Sequence, residues 1–212
     1  MNIDIQFALV CFTTFITIIN PLSVMPVFMT MTASLNEFQK KKVAKKAIIT
    51  ALLTMLLFAF SGQLIFKFFS ITVNSFRIVG GIIFFMMGWD MLQARLIRTK
   101  MDNESVREYV SDISITPLGI PMICGPGAIT NSIILMEDAD TILKKITLIA
   151  IMIFVLWITY IVLLGAAKIT KTLGDTGNKV MMRLMGLIVM VIAIEFFFSG
   201  LSPILKGIFL NP

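Results

Sequence analysis

Ile115-Thr116-Pro117-Leu118-Gly119-Ile120-Pro121-Met122-Ile123-Cys124-Gly125-Pro126-Gly127-Ala128-Ile129-Thr130 is apolar enough to lie in a bilayer, yet six of the eleven residues from Pro117 to Gly127 are proline or glycine. Proline removes a backbone donor and clashes with the carbonyl four residues before it. A regular helix cannot run through this stretch, which predicts an unwound or hairpin segment within a membrane span. Unpaired backbone at membrane depth persists only against protein or a water-filled cavity. The segment therefore points to a polar pocket inside a membrane protein.

The rest of the chain agrees. Of its 212 residues, 58% are hydrophobic and 14% charged, against about 45–50% and about 25% in soluble domains. Six runs reach the roughly 20 apolar residues that a span needs: about 5–33, 43–69, 76–95, 114–136, 142–167 and 180–204. They are too long for strands and apolar on every face, which also sets them apart from soluble amphipathic helices. The first is read as a retained helix, because Met1-Asn2-Ile3-Asp4 lacks the basic lead of a signal peptide.

Lysine and arginine cluster between alternate spans. Lys40, Lys41, Lys42, Lys45 and Lys46 follow span 1; Arg95, Arg98, Lys100 and Arg107 follow span 3; Lys168, Lys171, Lys179 and Arg183 follow span 5. Thirteen of the eighteen cations thus share one side, and Lys67, Arg77, Lys144, Lys145 and Lys206 hold the other. The positive-inside rule predicts a multi-pass protein of the cell (inner) membrane with both termini extracytoplasmic. It also accounts for the net charge of +6 without a nucleic-acid partner; the expected partners are the lipid bilayer and a small-molecule solute. There is no histidine, which removes Ser–His and Cys–His nucleophiles and histidine-ligated metals. No enzyme, no metal site and no cofactor is expected beyond a coupling H+ or Na+.

The chain also echoes itself. Ile19-Asn20-Pro21-Leu22-Ser23 in span 1 matches Ile115-Thr116-Pro117-Leu118-Gly119 in span 4, and Arg77-Ile78-Val79-Gly80 with Asp90 matches Arg183-Leu184-Met185-Gly186 with Glu195. The offsets are 96 and 106 residues. Each half has three spans, so the second must enter the membrane upside down. The expected fold is all-α and integral to the membrane: six transmembrane helices in two inverted three-helix repeats, with helices 1 and 4 discontinuous. One transmembrane domain covers 1–212, with a first repeat at 1–97, a cytoplasmic linker at 98–113 and a second repeat at 114–212. Inverted repeats with helices broken at matching places are the sequence pointer to a secondary transporter.

Freed N–H groups at a half-helix start can grip a carboxylate, and freed carbonyls an ammonium group. Asn20, Pro21, Ser23, Thr116, Pro117, Gly119, Gly125 and Gly127 are the expected substrate-binding positions, with Thr13, Thr17 and Thr130 as nearby polar partners. Glu195 falls mid-span between Ile194 and Phe196, where an ionised carboxylate costs roughly 2.5–3.5 kcal/mol on insertion scales. It is expected to face the protein interior, as a proton-coupling site or a protonated structural group. Asp90, five residues before Arg95, reads as a second coupling site or a local ion pair. Arg77 and Arg183 read as helix-end anchors, and Gly80, Gly81 and Gly88 as a close-packing stripe.

Through Asn20-Pro21-Leu22-Ser23 to Pro26, Arg77 to Asp90-Met91-Leu92, and Thr116-Pro117-Leu118 to Gly125-Pro126-Gly127-Ala128-Ile129-Thr130, the chain resembles the MarC family, related to LysE-type exporters, over nearly its whole length. The resemblance implies six spans in two inverted halves and transport of small neutral amino acids such as glycine or alanine. It also carries Asn20, Pro21, Thr116, Pro117, Gly125 and Gly127 over as substrate-binding breaks. Ser23 departs from the glycine common at that place. Two other classes compete: a thiol-redox carrier using Cys11 and Cys124, and a passive channel or accessory membrane subunit.

Overall fold

The computed structural model describes residues 4–70, 72–93 and 103–210; Arg95, Arg98, Lys100 and the 97/98 boundary lie outside them. Every element among the described residues is helical: α1 (Ile5–Ile19), α2 (Pro21–Met31), α3 (Glu37–Phe68), α4 (Val73–Leu92), α5 (Asn103–Ile113), a wide-turn π-helical segment (Ser114–Ile123), α6 (Pro126–Asp138) and α7 (Ile142–Leu210). Among the described residues, five apolar stretches are long enough to cross a membrane: Ile5–Met31, Glu37–Phe68, Asn74–Leu92, Ile142–Ala166 and Gly186–Phe209. A sixth forms if Glu108–Ile123 and Pro126–Asp138, bent by 61°, count as one span. Leu53, Leu57, Phe60 and Leu64 run along one face of α3, each 59–72% exposed. Soluble proteins rarely leave so continuous an apolar stripe uncovered; lipid covers it here.

Local chemistry sets the helix starts. Asp4 Oδ1 accepts from the Phe7 N–H at 3.0 Å, and Asn36 and Gln39 form a reciprocal capping box at 2.9 Å each way. Lys144 of α7 reaches Asp140 at 3.0 Å and Asp4 at 3.6 Å, tying the start of α1 to the start of α7. Its hydrogen bond holds the Asp140 carboxyl below the usual carboxylate range.

Helical turns run through α7, Ile142–Leu210, but its two apolar spans are Ile142–Ala166 and Gly186–Phe209, so residues 168–179 connect two spans as expected. A straight helix would hold Phe154 and Phe196 about 63 Å apart. Yet the Phe154 ring lies 6.0 Å from that of Phe12 on α1, tilted by 37°. Phe196 and Ile18, six residues further along α1, both lie within 3.6 Å of where a Cβ would stand on Gly127. The element therefore doubles back between Ala166 and Gly186.

Its second arm runs antiparallel to α4 on glycine. A Cβ on Gly88 would stand 2.7 Å from the Gly186 carbonyl oxygen, and one on Gly186 2.7 Å from that of Gly88. Gly81 meets the backbone of Ala193 and Phe197, and Gly200 that of Asn74. Small residues let helix backbones approach closely where lipid supplies no hydrophobic drive.

Residues 103–113, expected within a loop, form α5. Val110 and Ile113 are buried and Tyr109 half-buried on one side of it, and the Tyr109 hydroxyl donates to the Met31 carbonyl at 3.0 Å. The helix is kept by this apolar side, which the surrounding charges obscure in the sequence.

Candidate functional site

Two helix breaks open onto one cavity. At the first, α1 ends when Asn20 turns left-handed (φ 42°, ψ 74°), and Pro21 starts α2 at once. Asparagine tolerates this conformation better than most residues, and proline suits the first helical position because its missing N–H has no partner there anyway. Asn20 Oδ1 accepts from the Ser23 N–H at 3.3 Å. Asn20→Ala, which loses that cap and strains the left-handed turn, is expected to cost about 2 kcal/mol, read as a lowered thermal-unfolding midpoint in detergent. Asn20→Gly, at ease with positive φ, should cost a fraction of that.

At the second break, Thr116 (φ −130°, ψ 122°) and Ile120 (φ −133°, ψ 126°) leave helical geometry, and the Thr116–Pro117 and Ile120–Pro121 peptides are cis. The chain then runs through extended Gly125 into α6 at Pro126. No side chain caps that start. Asn131 Nδ2 donates to the Gly127 carbonyl at 2.8 Å, leaving its Oδ1 free to accept.

Between the breaks lies a cavity of about 470 Å³, within the roughly 300–1,000 Å³ of small-molecule sites. Thr17, Asn20, Ser23, Arg77, Asn131 and Ser199 supply its polar wall; Ile18, Phe84, Met122, Ile188, Val189, Ile192 and Phe196 supply much of the apolar remainder. Of the positions expected to bind substrate, Asn20, Ser23, Gly125 and Gly127 line it. Pro21, Thr116, Pro117 and Gly119 do not. Pro21 is buried against the bundle and Thr116 is exposed elsewhere, while Gly119 packs against Thr50 of α3. Thr17 lines the cavity, Thr13 bonds back to the Leu9 carbonyl at 2.8 Å, and Thr130 is buried with its hydroxyl unpaired.

Glu195 and Asp90 also fall elsewhere. Both side chains are exposed and neither touches the cavity, contrary to the inward placement expected for Glu195. Helical phase is the reason: Gly186, Val189, Ala193, Phe196 and Gly200 make the inward face of that arm, and Glu195 lands off it. Arg77 departs the other way. Expected as an anchor, it stands half-buried in the cavity wall and, among the described residues, makes no ion pair or hydrogen bond. Its helix-end position hid this, although the match with Arg183 was a signal. Asn131 and Ser199 went unnoticed because single polar residues in a span rarely stand out.

A family model for MarC family integral membrane proteins matches residues 5–205. This chain belongs to the MarC family. It is 34% identical to a UPF0056 membrane protein of Methanocaldococcus jannaschii over 93% of this chain and 97% of the relative. A Pyrococcus abyssi relative is 40% identical over 87% and 89%, and Bacillus subtilis YvbG 32% over 93% of each. No solved structure matches the chain. The names of these relatives of this MarC protein speak of membrane proteins and of no cargo.

Proposed function

We propose that this MarC protein is a secondary carrier of a small amino acid, glycine- or alanine-like, across the cytoplasmic membrane, and not an enzyme. The observation that carries the reading is one cavity touched by both interrupted helix starts and lined by both polar and apolar side chains. Carriers built from inverted repeats bind their cargo at such interruptions. The spacing supports two inverted halves: Asn20-Pro21 and Gly125-Pro126 stand 105 positions apart, as do Asp90 and Glu195, and Arg77 and Arg183 stand 106 apart. This register replaces Thr116-Pro117 by Gly125-Pro126 as the mate of Asn20-Pro21. The cation-rich connections then face the cytoplasm and both termini the outside.

Uptake of labelled glycine, alanine and serine by purified protein in proteoliposomes, with imposed proton and sodium gradients, tests the reading. Gradient-driven uptake supports it; flux indifferent to either gradient favours a channel, and no uptake an accessory subunit or another solute. Glu195→Gln is expected to bind solute as the native chain does, since its carboxyl lines no part of the cavity; loss of gradient dependence alone would assign it the coupling. Cys11 and Cys124 are both fully buried and outside the cavity wall. The double variant Cys11→Ala, Cys124→Ala is therefore expected to keep transport, and loss of activity in correctly folded protein would revive the thiol-relay reading.

A further inference from the structure

We infer that the cavity recognises its solute through a carboxylate held by Arg77 and does not recognise an ammonium group by charge, so that 2-hydroxy acids such as lactate bind where the matching amino acids do. The inference rests on the cavity being the solute site. Arg77 is the one ionisable side chain on the wall among the described residues, and it has no acidic partner there. A guanidinium presents a planar fork of N–H donors that matches a carboxylate two bonds at a time. The α2 and α6 starts open onto the same space, and helix N-termini add charge of the same sign.

The opposite charge has no counterpart. Among the described residues no aspartate or glutamate reaches the wall, so an ammonium group there finds only neutral acceptors, such as the Thr17 and Ser199 hydroxyls and Asn131 Oδ1. It would also stand near a guanidinium that repels it. A hydroxyl donates to the same acceptors without that repulsion. The aliphatic wall of Ile188, Val189 and Ile192 takes the side chain in either case.

Binding to the purified full chain in detergent, by calorimetry, tests this with three probes of one shape: alanine, lactate and alaninamide. Alanine and lactate are expected to bind within about threefold of each other, and alaninamide at least tenfold more weakly. Arg77→Gln should weaken both acids tenfold or more, while Arg77→Lys, which keeps the charge but loses the fork, should restore part of the loss. Alaninamide binding as well as alanine overturns the inference, as does lactate failing to bind, Arg77→Gln changing nothing, or none of the three binding. Binding without uptake in proteoliposomes would sink the carrier reading and leave the anion site standing.

Discussion

Gly88→Leu is expected to leave almost no folded protein in detergent extracts. A Cβ at Gly88 would stand 2.6 Å from Met190 Cγ, 2.7 Å from the Gly186 carbonyl oxygen and 3.0 Å from the Met190 nitrogen. Met190 can swing away, but the Gly186 and Met190 backbones cannot. Overpacking a formed core costs about 1–3 kcal/mol, occasionally more; here two helix axes must separate, so 3 kcal/mol or more is the expected order. Gly186 faces the same contact from the other helix, with its Cβ position 2.7 Å from the Gly88 carbonyl oxygen, and should respond alike. Gly165→Ala is the control, because a Cβ there meets nothing within 4 Å. It should be neutral or slightly stabilising, by roughly 0.5–1 kcal/mol of helix propensity. Thermal unfolding of the three variants, followed by size-exclusion profile, checks the contrast. Equal losses for Gly88→Leu and Gly165→Ala would mean the glycine contact contributes nothing special.

Thr17→Trp should abolish uptake while the protein stays folded. Thr17 is exposed on the cavity wall, so its replacement disturbs no buried contact, and an indole projecting from α1 would fill part of the cavity. A carrier that binds its cargo there loses it altogether. Uptake in proteoliposomes should fall to the protein-free background with an unchanged elution profile. Near-native uptake by Thr17→Trp would mean the solute passes elsewhere.

The spans were legible because runs of twenty apolar residues have no competing reading, and the break at Asn20-Pro21 because asparagine followed by proline both stops one helix and starts the next. Within the second break the sequence offered five candidate positions, and only packing distinguishes them. Gly119 approaches α3, whereas Gly125 and Gly127 face the cavity. The placement of Glu195 failed for a related reason: in a helix apolar on all sides no polar stripe reveals which face turns inward, and the glycines of α4 decide it. Arg77 was obscured by its place near a helix end, where a long side chain ordinarily reaches for water. The connection between Ala166 and Gly186 was legible because charged, glycine-bearing residues there interrupt the apolar run.

Cysteine labelling at Ser199 puts the central claim to its most direct test. In a Cys11→Ala, Cys124→Ala background, Ser199→Cys is exposed to a small water-soluble maleimide with and without saturating alanine, and with a sugar the protein does not transport as the control. Alanine should slow the reaction at least severalfold and the sugar should not. A labelling rate untouched by a solute that the same preparation demonstrably carries would place the binding site outside the cavity between the two helix breaks.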